Sequence, residues 1–534
     1  SCNTPANRTC WTAGFDTSTN YYQKWPATGQ QLTYDLRITN GTCNPDGHSS
    51  KTCFLVNGQY PGPAIRASWG DSVRVTVHND LQINGTSIHF HGLRQFQTCQ
   101  NDGTNGVTEC PIAPGESRSY QWTATEYGTS WYHSHHSVQY SQGILGPIII
   151  DGPTTQNYDQ DLGALPLTDW YYDDTFMLLW RALYGGGAPP PAQNVLVNGS
   201  MIDGFGHGKY SVINVVKGQT YKLRLINAAT DTLFHVSMDN HPFTVVGADF
   251  VAVDPYQTTD LKMNIGQRYD IVFTANQTAS NYWLRVRPGA AVCGSPQIYN
   301  ATHSDVVVGA ILRYSGAPAA NPTSTGYTMA ATCEDETYSN HLKLNVPSTT
   351  FAAQEKPIDI TLGTGPKNIA NWFINGSSLD VDWQNPTLAY ILNGTTNYPK
   401  SENVFLMPQA NAWYFWVIIN PATPPLPHPV HLHGHDFYKL GSGTGPFPGV
   451  SALNFNNPMR RDVSTLPGSA TGGWLVFGFP ADNPGVWLTH CHIAWHVSEG
   501  FGMQFVERAT EIPGTIGQVD EFNQGCLDWR NYWN

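Results

Sequence analysis

A ten-residue pattern occurs three times along the chain and narrows the choice of fold more than any other feature. Residues 70–79 (GDSVRVTVHN) alternate apolar and polar side chains and close on Asn79. Residues 218–227 (GQTYKLRLIN) repeat the pattern, and residues 411–420 (NAWYFWVIIN) are a greasier third version. Alternation with a period of two predicts a strand with one buried face. Three copies, roughly 150 to 190 residues apart, predict three similar β domains in sequence.

Composition agrees with an all-β chain. At 534 residues the chain exceeds one ordinary core. Charged residues are only 13%, aromatics reach 12%, and 51 Gly and 37 Pro supply turns for many short strands. Residues 153–157 (PTTQN) and 316–325 (GAPAANPTST) are poor in core residues and read as linkers. They divide the chain into 1–155, 156–340 and 341–534.

The net charge of −13 excludes a nucleic-acid binder, since no basic surplus exists to neutralise phosphates. It also argues against anionic membranes, and no apolar run approaches the ~20 residues needed to span a bilayer. Ser1 and Cys2 open the chain without a signal-peptide core, so it reads as a mature product. Eight glycosylation sequons, at Asn7, Asn40, Asn84, Asn198, Asn276, Asn300, Asn375 and Asn393, predict a secreted, extracellular protein. Cys2, Cys10, Cys43, Cys53, Cys99, Cys110, Cys293, Cys333 and Cys526 suit an oxidising compartment. Their odd number leaves at least one free thiol.

Histidine is the chemically informative residue. Nineteen His placed at random would give about 0.7 pairs at spacing i, i+2. Five occur: His89/His91, His133/His135, His431/His433, His433/His435 and His490/His492. On a strand such a pair presents both imidazoles to one side, where they can serve one metal or two adjacent ones. The pairs follow the first and third repeats. After the second repeat comes only His235, so the middle domain is expected to hold no metal.

The segment 490–496 (HCHIAWH) adds a thiolate. Two His and one Cys with a weak or absent axial group is the donor set of blue copper, and His428 supplies an upstream imidazole. Structural zinc more often takes several Cys, and only Cys491 lies in the cluster. His490 and His492 flank Cys491 and point to the opposite strand face.

These segments resemble the multicopper oxidases. The motifs stand here as HFHG at 89–92, WYHSH at 131–135, HPVHLHGH at 428–435 and HCHIAWH at 490–496. The stretches 102–110 (DGTNGVTEC) and 127–135 (YGTSWYHSH) are similar to the laccases of ascomycete fungi. The resemblance implies three cupredoxin-like Greek-key sandwiches and four copper ions. It implies a type 1 copper on His428, Cys491 and His496, and a type 2 copper on His89 and His431. It assigns one type 3 copper to His91, His133 and His492, and the other to His135, His433 and His490. His435 and His136 fall outside the ligand set and are given supporting roles.

By the same resemblance Phe501, five positions after His496, stands axial to the type 1 copper, where many relatives have Met. Asp231 occupies the place of an acid beside the phenol, and Asp102 lies beside the type 2 water as a proton relay. Trp372 and Trp495 line the substrate pocket, where substrate meets an exposed edge of His496. Family disulfide patterns imply Cys2–Cys10, Cys110–Cys526 and Cys293–Cys333. Cys43–Cys53 is read from spacing alone, leaving Cys99 unpaired. The C-terminal sequence lacks the short DSGL end common in the ascomycete group, which puts a tail-plugged oxygen channel in doubt. The expected activity is one-electron oxidation of phenolic small molecules with reduction of O₂ to water by a monomer. Ascorbate, bilirubin or ferrous iron as donor, or a non-enzymic copper protein, stay open at this point.

Overall fold

The computed structural model describes residues 2–289, 293 and 306–533. Strands form two sheets from Gln31 to Asp151, of four strands each. Two more, of six and five strands, run from Gln160 to Tyr314, and a third pair of the same sizes from Glu355 to Glu507. No sheet draws strands from two of these regions. The molecule is thus three double-sheet sandwiches in chain order, as the repeats predict.

Each repeat forms the same strand in its sandwich. Ser72–Asn79 pairs parallel with Gln31–Cys43 and antiparallel with Ser117–Thr123. Thr220–Asn227 pairs parallel with Gln160–Trp170 and antiparallel with Arg268–Thr274. Trp413–Asn420 pairs parallel with Glu355–Thr364 and antiparallel with Gly473–Pro480. The shared terminal Asn has a shared job. Asn79 donates to the carbonyls of Asn84 and Ile112, Asn227 to Thr232 and Met263, and Asn420 to Leu426 and Pro467. In each sandwich this amide ties the strand end to the segment that follows, where the histidines of the first and third sandwiches begin.

One expectation needs correcting. Only Ser72–Asn79 has a single buried face; the second and third repeats are buried on nearly every residue. In the second, the polar positions carry ion pairs between packed layers: Lys222 with Asp270 at 2.8 Å and Arg224 with Asp161 at 2.7 Å. A buried charge is tolerable when paired in this way.

Four disulfides join Cys2 to Cys10, Cys43 to Cys53, Cys110 to Cys526 and Cys293 to Cys333, and Cys99 is free and buried. The Cys110–Cys526 bond anchors the helix Val519–Trp533 to the first sandwich. Seven of the eight sequon asparagines are exposed, and Asn300 lies outside the described residues.

Candidate metal centre

Strand register brings the histidines together. His89–Phe90 pairs with Gly128–His133, setting His89 opposite His133. His428–Leu432 pairs with Gly485–Cys491, setting His431 opposite His490 and Val430 opposite Cys491. Four of the five H-x-H pairs straddle a strand end, and His433/His435 lies wholly beyond one. His89, His133, His431 and His490 lie in strands, whereas His91, His135, His433 and His492 lie just beyond. The two imidazoles of a pair therefore do not simply share one strand face, and each can serve a different ion. Gly92 (φ +76°) turns the chain immediately after His91. A Cβ there would lie 2.5 Å from both Arg268 Nη2 and Asp462 Oδ2, which explains the Gly of the HFHG segment.

Eight imidazoles form one group between the first and third sandwiches. His135 Nε2 and His433 Nε2 lie 3.4 and 3.3 Å from His490 Nε2. His91 Nδ1 lies 3.3 Å from His492 Nε2, and the His133 ring is 5.5 Å from the His492 ring. The His89 and His431 rings are 5.9 Å apart.

Hydrogen bonds on the far side of the rings settle which nitrogen faces inward. The Nδ1–H groups of His89, His133, His431 and His490 donate to the carbonyls of Asp102, Ser134, Asp462 and Cys491 at 2.7, 3.0, 2.9 and 2.8 Å. His433 Nδ1–H donates to Asp102 Oδ2 at 2.8 Å. Each of these rings then turns an Nε2 lone pair inward. His91 is reversed: its Nε2–H donates to Asp462 Oδ1 at 3.2 Å, leaving Nδ1 inward.

The Nε2 atoms of His89, His133 and His431 are buried with no hydrogen-bond partner. Burial first, then neighbouring imidazoles, push His91, His133, His135, His431, His433 and His492 well below 6.5. His490 is brought to about 4, again mainly by burial. Neutral imidazoles with orphaned inward lone pairs lack only cations to accept them.

The second donor set lies behind Cys491. Its Sγ is 3.6 Å from both His428 Nδ1 and His496 Nδ1, which are 3.1 Å apart. Burial pushes the thiol well above 9, and Asp231 and Glu499 push the same way. A thiolate here therefore requires a bound cation. Phe501 is buried, with its ring 4.9 Å from that of His428. The Phe501 N–H donates to the His496 carbonyl at 3.0 Å, and its own carbonyl accepts the Cys491 N–H at 3.2 Å.

The outer pocket is narrower than expected. His496 is only 1% exposed and lines a cleft together with Asp231, Leu233, Asn264, Leu426 and Pro429, among others. Trp372 and Trp495 are not among the described residues that wall this cleft. Trp372 is packed against His428, His496 and Phe501, with its indole N–H donated to Glu499 Oε2 at 3.1 Å. Trp495 is buried in the helix Ala494–Ser498 against Tyr171.

Asp231 is in the cleft wall, 3% exposed, with Oδ2 unpartnered. Burial, then Asp169 and Glu499, push its carboxyl well above 3.8. Asp102 touches the cluster twice, through its carbonyl on His89 and its carboxylate on His433, and also accepts from Thr104 Oγ1 at 2.7 Å. His435 and His136 bond elsewhere, to Glu507 Oε2 and Asn105 Oδ1, both at 2.8 Å.

Asp462 was missed by sequence reasoning. It holds His91 through its carboxylate and His431 through its carbonyl, and Arg268 grips it with both Nη atoms at 2.6 and 2.7 Å. No local spacing signals it, because Arg268 is 194 positions away. A separate cavity reaches His135, with Val381, Trp383, Leu179 and Leu488 in its walls.

Three family models, each described as multicopper oxidase, match residues 37–155, 162–317 and 374–511. The laccase of Neurospora crassa is 43% identical, with 100% of this chain and 87% of that protein covered. The laccase of Cryphonectria parasitica is 42% identical, covering 100% and 92%. Among solved structures, the laccase from Botrytis aclada superposes with a TM-score of 0.92 at 40% identity, covering 100% of this chain and 97% of that one. Fet3p, a multicopper oxidase that functions in iron import, gives 0.80 at 27% identity, covering 93% and 95%.

Proposed function

The chain belongs to the multicopper oxidase family and is an oxidoreductase of the laccase type, and we propose that it oxidises phenolic donors with four bound copper ions while reducing O₂ to water. The observation that carries this is Cys491 joining the two donor sets. Its sulfur faces His428 and His496, while its covalent neighbours His490 and His492 lie in the eight-imidazole cluster.

In this reading His428, Cys491 and His496 hold a type 1 copper, and His89 and His431 a type 2 copper. His91, His133 and His492 hold one type 3 ion, and His135, His433 and His490 the other. Of these, His135–His433–His490 and His428–Cys491–His496 are compact donor groups whose ligand atoms all lie within 4.8 Å of one another. Copper, when bound, supplies the one-electron redox steps and the storage of four electrons that dioxygen requires.

The protein's own contribution is placement and proton handling. The cleft brings a phenol beside His496, and Asp231 takes the phenolic proton on its free Oδ2. A phenol that has lost an electron is strongly acidic, so a carboxylate in contact with it lowers the barrier. Asp231 is the one acid among the described residues of that wall, which favours a phenol over ferrous iron as donor. Asp102, hydrogen-bonded to His433 and Thr104, relays protons at the cluster. Phe501 keeps the axial side apolar. The cavity at His135 admits dioxygen. Burial of the cluster argues against a carrier, which would have to exchange its ion with solvent. The segments 1–155, 156–340 and 341–534 act as the three units, the middle one without copper. Eight sequons, seven of them on exposed asparagines, support a secreted glycoprotein. No helix among the described residues is long and apolar enough to cross a membrane, and a monomer suffices because one chain supplies every donor.

Oxygen uptake with a panel of phenols tests the activity. Cys491→Ser should lose the intense visible band and phenol-driven oxygen uptake while keeping most of the remaining copper. A variant that stays blue would sink the assignment.

A further inference from the structure

Away from the copper donors, two loops meet where the first and second sandwiches touch. The loop closed by Cys43–Cys53 brings His48, and the turn after the strand Asn194–Val197 brings Asp203 and His207. His48 Nδ1 lies 3.2 Å and His207 Nδ1 2.7 Å from the same atom, Asp203 Oδ2. Asp203 Oδ1 accepts the backbone N–H groups of Phe205 and His207 at 2.9 and 2.7 Å.

The Asp203 side chain is wholly buried, whereas His48 is 31% and His207 61% open to solvent. Burial opposes its charge, but the hydrogen bonds from His207, Phe205 and His48 outweigh burial and hold the carboxyl at about 2. The geometry is rigid on the His48 side. Its ring lies parallel to that of Tyr172, 4.2 Å away, and packs against Phe205. The loops press backbone to backbone: a Cβ on Gly47 would strike Gly208, and one on Gly208 would strike the Asp46 carbonyl.

Two imidazole nitrogens and one carboxylate oxygen thus converge at a point where both rings are open to solvent. We propose that His48, Asp203 and His207 form a binding site for a divalent cation of the zinc type, which pins the first sandwich to the second. Two imidazoles and a carboxylate are the ligands such ions take, with an open position left for water. With metal–ligand distances of about 2.0–2.2 Å, tetrahedral donors stand roughly 3.3 Å apart. His48 already has that spacing to Asp203 at 3.2 Å, and the exposed His207 ring, at 2.7 Å, need move out by about 0.6 Å. Each imidazole now donates an Nδ1 proton to Asp203. On binding, the ring keeps its proton on Nε2 and the Nδ1 lone pair turns to the ion; a ring that carries protons on both nitrogens gives one up to solvent. The residues are separate from every proposed copper ligand, which lets the site be probed without touching the oxidase centre.

The test is titration of the copper-loaded protein with Zn²⁺, with copper content and the blue band monitored throughout. One Zn²⁺ per chain should bind with copper unchanged, and the thermal midpoint should rise. His207→Gln keeps an N–H donor for Asp203 but offers no imidazole. It should fold and stay blue, bind Zn²⁺ at least about tenfold more weakly, and lose the Zn²⁺-dependent rise. His48→Gln should behave alike. No binding to the wild-type protein, equal binding to both variants, or Zn²⁺ uptake matched by copper loss would each overturn the proposal.

Discussion

Asp231 is under opposite demands from folding and from chemistry. Its carboxyl is buried beside Asp169 and Glu499, and its value is raised above 3.8. A raised carboxyl stabilises the fold fully below its unfolded value and loses that contribution as pH climbs through the folded value. Asp231→Asn should therefore melt higher than wild type at neutral pH and converge with it near pH 4. The same substitution should slow phenols, because only the ionised carboxylate accepts a proton. That deficit should be largest above the raised value and fade in acid, while a donor with no proton to lose is scarcely affected. Equal slowing of both donor types would count against the proton role; a variant no more stable at pH 7 would count against the burial argument. Phe501 poses a second residue-scale question. Its ring lies against His428 and Trp372 and offers no lone pair. Phe501→Met introduces a thioether that favours the oxidised ion, so the type 1 potential should fall. A shift of about 60 mV is already tenfold for one electron. Redox titration of the blue band decides, and an unchanged or raised potential in a fully loaded variant would show that Phe501 is not axial.

At the scale of elements, the strand ends do the positioning, and the turn at Gly92 shows how tightly. Its positive φ and its contact with the Arg268–Asp462 pair leave no space for a methyl group. Gly92→Ala should displace His91 and loosen the clamp on His431, at a cost of about 1–3 kcal/mol for the strained backbone. Copper should be lost from the histidine cluster while the proposed blue site, whose three donors all lie in the third sandwich, persists. Oxygen uptake should fall with the visible band retained; a variant with full copper and full activity would refute this. Much of this level was legible in advance. Alternation located the repeats, their terminal Asn marked real equivalence, and the H-x-H spacing picked out the cluster. The second repeat's buried ion pairs were hidden because a polar residue reads as exposed until its partner is known. Asp462 was hidden for a related reason. Its partners Arg268 and His91 are 194 and 371 positions away, so only the fold brings them together. Trp372 is a different case: the resemblance placed it near the site, but an aromatic there can wall the pocket or back the ligands, and it is packed against His428 and His496.

At the scale of the molecule, the cluster is an interface as well as a site. His89, His91, His133 and His135 come from the first sandwich, and His431, His433, His490 and His492 from the third. The second sandwich joins through Arg268 to Asp462 and through Asp249 to Arg461. Without metal, inward lone pairs face one another across the first–third boundary with nothing to bind, which weakens the junction. An ion that binds only the folded arrangement adds about 4.1 kcal/mol when present at a thousandfold its Kd. The His428–Cys491–His496 set lies within one sandwich and bridges nothing. Removing all copper should therefore lower the thermal midpoint and split the calorimetric transition, as the first and third sandwiches uncouple. Cys491→Ser, which disables only the site within the third sandwich, should keep most of the stabilisation and a single transition. Calorimetry on the loaded, stripped and Cys491→Ser proteins makes the comparison. If the stripped protein melts in one transition at the loaded temperature, the cluster is not what holds the first and third sandwiches together. If Cys491→Ser falls as far as the stripped protein, the stabilisation belongs to the blue site and not to the interface.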